Sequence, residues 1–481
     1  MNKKAFLGIM VAIVFGLIAY LLSDNLAFGF LILIYFALVA IIASKGYKNN
    51  IIVLAFLMCY FVFLMGRPIV YEILHLSNSN AINLDVETRS FTYVCLSVSL
   101  LALALGYVFA TRIGKGKNKN ANPRKMVDDG FVNSLQSITK TTTIILYLFV
   151  MLENILRCVF VKDIGYTTSF VAGNSYTLPY GLHTLVGIAP VSLCLFLATL
   201  PNKKDAKIPL LLFLIASIIP TFIGSRFEII SCVLLITIYL VLRTNNNEVG
   251  EVWIKKRQIV VMMILAPFIV ILLQNMTYWR DGKVYGVDRR PIADFMMGVG
   301  GSSDLIGATK EYGDSALSHD TIYSFGGLWR RIRGNTIVEF VGGNGVYGHQ
   351  TVEYARNGHS LSSALTYYFF PERYQKGFGL GGCYIAELYH DFSIIGVIVG
   401  NMIVGFIIGR NRRLNKGTIF RNFFCLFLFV LLIRIPRDSF DYLIVELTGL
   451  KNIIFAIIIV ALAKYRSFRS SSRQILLQET E

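Results

Sequence analysis

The feature that most constrains this chain is a series of apolar segments, each close to the length that crosses a bilayer. About 20 predominantly apolar residues span the hydrocarbon core as a helix. Twelve segments fit: 5–22, 26–43, 51–70, 91–110, 141–161, 181–200, 208–224, 227–242, 258–276, 393–409, 418–434 and 443–463. None shows the period-2 alternation of a barrel strand, so the pattern predicts helices. The least regular are the seventh and eighth, separated only by Ser225 and Arg226, and the twelfth, which contains Glu446 and Lys451. The first segment follows Met1-Asn2-Lys3-Lys4, lacks a small-residue cleavage site and precedes eleven more. It reads as a retained span rather than a signal peptide. The expected fold is an all-α polytopic membrane protein with about 12 transmembrane helices.

Charge sharpens this reading. Only 16% of residues are charged, against about 25% in soluble domains, which excludes a soluble or a disordered protein. The net charge is nevertheless +17, from 46 Lys and Arg against 29 Asp and Glu. A nucleic-acid binder would not need half a chain of lipid-soluble segments, so no nucleic-acid partner is expected. Threading the chain with its N-terminus inside puts 27 of the 46 basic residues in or beside cytoplasmic segments. They include Lys3, Lys4, the run from Arg112 to Lys125, Lys255-Lys256-Arg257 and the stretch from Arg410 to Arg421. The short outer loops 23–25 and 225–226 hold almost none apart from Arg226. This sorting predicts that both termini are cytoplasmic.

One segment departs from the pattern. Residues 277–392 form a 116-residue outer loop that carries eleven basic residues. Long loops translocate largely regardless of charge, so the topology stands. The organisation is therefore a membrane domain 1–276 with spans one to nine, a large extracytoplasmic loop 277–392, and a membrane domain 393–481 with spans ten to twelve and a basic cytoplasmic tail. Eight of the eleven loop cations are Arg (Lys283, Lys310 and Lys376 are the others). Arg suits bidentate recognition of phosphate or carboxylate. The loop is also rich in Tyr, Trp and Phe, including Tyr278, Trp329, Tyr354, Tyr367 and Tyr368. Disordered tails are poor in these. Two roles stay open for them: stacking on sugar rings, or an interfacial belt at headgroup level. Short amphipathic helices are expected at 292–311 and 335–357.

Six of the seven cysteines lie inside spans and only Cys383 lies in the loop, which is neither a disulfide framework nor a metal spacing. There is no Walker motif, no GxGxxG after a strand, no HExxH and no internal repeat, so the sequence does not point to nucleotide or zinc chemistry. The titratable groups gather at the outer ends of spans. Glu153 and Arg157, four apart, read as a neutralising intrahelical pair. Arg226 follows Gly224-Ser225 with only Glu228 nearby, and Arg437-Asp438-Ser439-Phe440-Asp441 is a short outer loop or a helix-end cap. At the end of the long loop, Gly377-Phe378-Gly379-Leu380-Gly381-Gly382 leads into a helical pattern in which Tyr384, Glu387 and Asp391 share one face. The glycines permit close backbone approach. A carboxylate at that depth, Glu387, is expensive unless functional or paired to a loop Arg.

At these residues the chain resembles the Wzy-type oligosaccharide repeat-unit polymerases of O-antigen or capsular polysaccharide. The resemblance rests on the span number, the large late outer loop, Gly224-Ser225-Arg226, and Gly379-x-Gly381-Gly382-x-x-Ile385-Ala386-Glu387-x-Tyr389-x-x-Phe392-x-x-x-Gly396. It departs at Ser393, where that family often has Gly. The layout covers most of the chain, and the specific motif about 20 residues of it. The resemblance implies a GT-C-like, metal-independent membrane glycosyltransferase that uses no cofactor. It would join undecaprenyl-diphosphate-linked oligosaccharide repeat units on the outer side of the bacterial inner membrane. Its partners would be those substrates and membrane lipids, with a chain-length regulator protein left open. In that reaction the diphosphate is the activated leaving group, so the protein must stabilise its charge and deprotonate an acceptor hydroxyl. The expected site is Glu387 as general base or acceptor orienter, His390 as its substitute, Arg226 on the leaving group, and Arg289, Arg290, Arg437, Tyr389 and Tyr384 in substrate binding. An O-antigen ligase, similar in layout, and a lipid-linked sugar flippase or other secondary transporter are the alternatives. Transporters place ionisable sites near the midplane and often carry repeats, neither of which is seen here.

Overall fold

The computed structural model describes residues 3–76, 81–116, 129–171, 180–245, 251–280, 289–334, 347–414 and 418–478. The basic run 117–125, Lys283, and residues 335–346 of the expected loop helix lie outside them. The described residues are predominantly helical, with no strand among them. Among the described residues, ten helices are long and apolar enough to cross a membrane. They are α1 (Lys3–Ser23), α2 (Leu26–Ser44), the continuous rod of α3 (Ile51–Tyr60) and α4 (Gly66–Leu74), α5 (Val86–Gly116) and α6 (Asp129–Ile164). After α7 (Tyr180–Ala198) come α8 (Lys203–Ile218), extended by a 3-10 turn to Ile223, then α9 (Phe227–Asn245) and α10 (Lys256–Arg280). The last two are α17 (Tyr384–Arg410) and α18 (Ile419–Leu432), which a 3-10 turn extends to Arg437.

Two of the twelve expected spans differ in form. The sixth falls on α7, whose apolar stretch Leu182–Ala198 is shorter than the ten. The twelfth is interrupted: α19 (Tyr442–Leu447) stops at Thr448-Gly449, and α20 (Leu450–Gln478) runs on through basic residues. Lys451 lies against α7, at the position a side chain on Gly187 would occupy.

Between α10 and α17 the described residues form six short helices: α11 (Pro291–Val299), α12 (Asp304–Ala316), α13 (Gly326–Arg333), α14 (Val352–Asn357), α15 (Leu361–Phe369) and α16 (Pro371–Gln375). The helix expected over 292–311 is therefore two, broken by the Gly300-Gly301-Ser302-Ser303 turn. These helices cap one end of the bundle. α11 packs on α4, α12 on α5 and α17, and α13 on α19.

The framework that fixes this cap is the α5–α17 contact, the most extensive between any two elements. Side chains on its glycines would collide with facing carbonyls: a Cβ on Gly106 would lie 2.0 Å from Met402 O, and one on Gly405 2.0 Å from Leu103 O. Small residues of this kind let membrane helices approach to backbone contact. α17 is broken at its cap end. Phe392 and Ser393 are non-helical, and Ser393 has φ 54° and ψ −155°, a region almost reserved for glycine. The sequence departs from the Wzy-type pattern at this same residue, and the departure leaves a serine in a glycine conformation.

Candidate functional site

The cap end is built by charged residues that are costly to place there and therefore held by specific partners. Arg67 opens α4 and is buried. Its Nη1 meets Asp304 Oδ2 at 2.5 Å, while Nε and Nη2 donate to the Met297 carbonyl at 3.0 and 2.7 Å. The glycine turn is moulded on this side chain, since a Cβ on Gly301 would come within 2.7 Å of Arg67 Nη2. Burial pushes the Asp304 carboxyl above its ordinary range and Arg67 pulls it back part of the way.

Arg437 is the counterpart, at the end of the α18 turn. Its guanidinium stands over the Phe63 ring at 5.9 Å; Arg67 and Arg434 act on it as like charges, and Asp438 as an opposite charge without a direct ion pair. Among the described residues it makes no side-chain hydrogen bond and no ion pair. The adjacent Asp438 instead pairs with Arg434, Nε to Oδ2 at 3.2 Å. Burial raises the Asp438 carboxyl above its usual range, against the pull of Arg434. Facing Arg437 is Gly381, with φ +86°, where a Cβ would lie 3.0 Å from Arg437 Nε and 3.4 Å from Ser302 Oγ. That Ser302 hydroxyl is buried and has no hydrogen-bond partner. The glycine-rich segment thus lets the chain pass between an arginine and a serine whose side-chain polar groups have no hydrogen-bond partner among the described residues. Its neighbour Gly382 rests on the backbone of Asp438, and Gly377 on that of Thr167.

Glu387 lies in the first turn of α17, buried, with Oε2 accepting the Phe440 N–H at 2.9 Å. The loop arginine left open as its partner is not in contact; Arg330 acts on it only as a nearby charge, as do Asp438 and Asp441. Asp441 reaches the other way and accepts the Leu328 N–H at 2.6 Å in the first turn of α13. Asp391 accepts the N–H groups of Tyr323 and Ser324 at 3.1 and 2.7 Å. Two carboxylates rooted beside the membrane helices thereby clamp residues 323–328 of the cap. Carboxylates at orphan N–H groups are favourable partners.

The sequence-expected residues divide accordingly. Glu387 bonds to Phe440, in the same short segment 437–441 that begins with Arg437. Arg226 and Arg289 meet a second group on α10. Arg226 Nη1 donates to Gln274 Oε1 at 2.8 Å and its guanidinium lies 5.3 Å from the Phe295 ring. Arg289 covers the Tyr278 ring at 4.9 Å, and the Tyr278 hydroxyl donates to Asp294. Phe295 and Met297 both belong to α11, so α11 links Arg226 to Arg67. Arg290 is exposed just before α11. Tyr384 is fully enclosed and its hydroxyl donates to Asn401 Oδ1 at 2.6 Å. Tyr389 packs on Phe91 at 5.0 Å, and His390 pairs with Asp391 at 2.8 Å, edge-on to Tyr323. Tyr389 and His390 are engaged in holding α17 to its neighbours, and Tyr384 bonds within α17 across its break. The expected Glu153–Arg157 pair is replaced by Glu153 with His183 on α7, 3.5 Å apart.

Sequence reasoning noted Arg67 only as an outer-end charge and did not assign it, Asp304 or Ser302 to the site. A buried Arg before Pro68 is a visible signal, but its partner lies 237 positions away.

Compared with known families, residues 5–467 match the model of the O-antigen polysaccharide polymerase Wzy. The chain belongs to that family. No curated protein and no solved structure matched it. As a Wzy-family member it is a multi-pass membrane protein that polymerises O-antigen repeat units from lipid-linked oligosaccharides. The Wzy match spans both the helical bundle and the cap, so bundle and cap belong to one family unit.

Proposed function

We propose that the cap end is where this polymerase joins two undecaprenyl-diphosphate-linked glycans, on the outer side of the bacterial inner membrane and without a metal ion. The observation that carries the reading is Arg437. It is a guanidinium with no carboxylate bound to it among the described residues, flanked by the like charges of Arg67 and Arg434 and by the unpartnered Ser302 hydroxyl. A group in that position is stabilised by an arriving anion, and a lipid diphosphate supplies one. Arg226 and Arg289, on the far side of α11, serve the same substrate's charge as it enters or leaves.

In the reaction the acceptor hydroxyl oxygen attacks the anomeric carbon of the donor glycan. The new glycosidic C–O bond forms as the bond to the diphosphate breaks, and the electron pair leaves with undecaprenyl diphosphate. Arg437 and Ser302 stabilise that developing charge. The hydroxyl proton passes to Glu387, which the Phe440 N–H holds in place. His390 is already paired to Asp391, which leaves Glu387 as the proton acceptor. Capsular or O-antigen polymers fit this chemistry equally, since it acts on the linkage carbon and the diphosphate.

The test compares Arg437→Ala, Arg437→Lys, Glu387→Gln and Glu387→Asp in a deletion strain. It scores polymer ladders on surface-glycan gels against membrane abundance of each variant. Arg437→Ala should lower polymerisation by about 10²–10³-fold, the usual loss for one transition-state donor. Full ladders from Arg437→Ala or Glu387→Gln would remove the assigned role. The deletion strain itself should display lipid A capped with a single repeat unit; absent caps with lipid-linked polymer accumulating would make the protein a ligase.

A further inference from the structure

A second recess lies beside Arg67–Asp304, away from Arg437. It is a cleft of about 540 Å³ between the end of α4, residues 81–84, the start of α5 and the 303–304 corner. That volume is within the range of sites that enclose a small ligand, about 300–1,000 Å³. Its walls include the rings of Tyr71 and Tyr93, with Arg89, Asp304, Asn83 and His75 providing polar groups.

Its charge is balanced, unlike that of the Arg437 group. Asp304 is held by Arg67, and Arg89 faces Glu72 at 3.9 Å. Glu72 also accepts the Tyr93 hydroxyl at 2.8 Å. Two arginines are thus matched by two carboxylates, and no net cation is left over for a phosphate. The Arg89 Nε is buried without a hydrogen-bond partner. A ligand that is uncharged, carries many hydroxyls and has an apolar ring face answers all three properties.

We propose that this cleft binds the sugar portion of one lipid-linked substrate, as a glycan subsite separate from the diphosphate site. The ring of one saccharide lies on the half-buried Tyr71, and its hydroxyls take the Arg89 Nε–H and an acceptor site on the Asp304 carboxylate beside its bond to Arg67. Asp304 lines the cleft, and its partner Arg67 acts on Arg437 as a nearby charge, so the two sites are linked through this one ion pair. The proposal rests on the polymerase reading given above.

The experiment uses the full-length protein in detergent and the free oligosaccharide repeat unit, released by mild acid from the host's lipid-linked precursor. Binding is read by saturation-transfer NMR, with undecaprenyl diphosphate as a second probe. Asn83→Trp fills the cleft from an exposed position and Arg89→Gln removes the unpartnered donor. Thermal melting confirms that each variant is folded. Free glycan should bind the wild type and Arg437→Ala, and weaken about ten- to a hundredfold in Asn83→Trp and Arg89→Gln, the loss expected for a hydrogen bond to a charged group. Undecaprenyl diphosphate should lose affinity in Arg437→Ala and keep it in Asn83→Trp. No glycan binding to the wild type, or binding that Asn83→Trp leaves intact, overturns the subsite. If the glycan binds in the cleft but the deletion strain makes polymer of normal length, the subsite stands and the polymerase reading fails.

Discussion

Replacing Arg67 by Ala should be among the most damaging single changes outside the α5–α17 seam, and its cost should depend on pH. The side chain supplies the cation facing Asp304 at 2.5 Å and two donors to the Met297 carbonyl. Removing one member of a buried pair leaves the other charge uncompensated, at about 3–5 kcal/mol. The lost bonds to Met297 are included in that range rather than added, because water can enter the space left behind. The sign with pH follows from Asp304. Its folded-state carboxyl is already held above the unfolded value by burial, and it rises further when Arg67 is gone. A group raised in this way favours the fold while protonated and loses that contribution as pH climbs through its folded value. The variant's deficit should therefore be largest near pH 8 and shrink toward pH 5. The apolar double variant Arg67→Met with Asp304→Leu should recover most of the loss, since no unpaired charge remains. The assay is denaturant unfolding in detergent at several pH values, with membrane abundance as a check. A deficit below about 1 kcal/mol, one that does not change with pH, or a double variant as unstable as the single would refute the pair as a structural element.

Three other outcomes follow from particular contacts. Ser393→Gly should raise stability by about 1 kcal/mol, because it relieves strain of about 1–3 kcal/mol and loses about 0.5–1 kcal/mol to glycine's extra freedom; a lower unfolding midpoint would contradict this. Gly405→Ala should destabilise by about 1–3 kcal/mol as an overpacked contact against Leu103, and a normal melting temperature would show that the α5–α17 approach is looser than described. Asp441→Ala should free the N-terminal turn of α13 and speed limited proteolysis within 318–334, whereas an unchanged cleavage pattern would mean that Asp391 alone holds the segment.

The sequence made the spans legible because bilayer thickness imposes one length on every crossing helix, and most expected segments coincide with a long helix. It could not show the break at Thr448-Gly449, which depends on how α19 meets α13 rather than on local hydropathy. Glu387 and the glycine segment before it were also legible, since a carboxylate and a glycine run are unusual in an apolar stretch. Their geometry, Gly381 between Arg437 and Ser302, was not, because it joins three distant segments. Tyr384 shows the limit of face-sharing arguments. It lies three residues before Glu387 on the same helix, yet α17 turns its ring inward onto Asn401 while Glu387 reaches Phe440. Arg67 was visible as a charge in a span, but only the fold supplies Asp304.

The clamp on residues 323–328 bonds to main chain. Asp391 and Asp441 accept backbone N–H groups of Tyr323, Ser324 and Leu328, and Gly327 leaves room for this, since a Cβ there would lie 2.7 Å from Asp441 Oδ1. The latch therefore sets a shape requirement with only a few fixed letters, the glycines at 326 and 327 and the Tyr323 ring against His390. A cap from a related polymerase could be grafted onto this bundle with other residues elsewhere in the latched segment and still dock, provided that those are kept and its backbone turns there in the same way. The carboxylate anchors are on the membrane side, which makes this end of the bundle a socket for interchangeable caps.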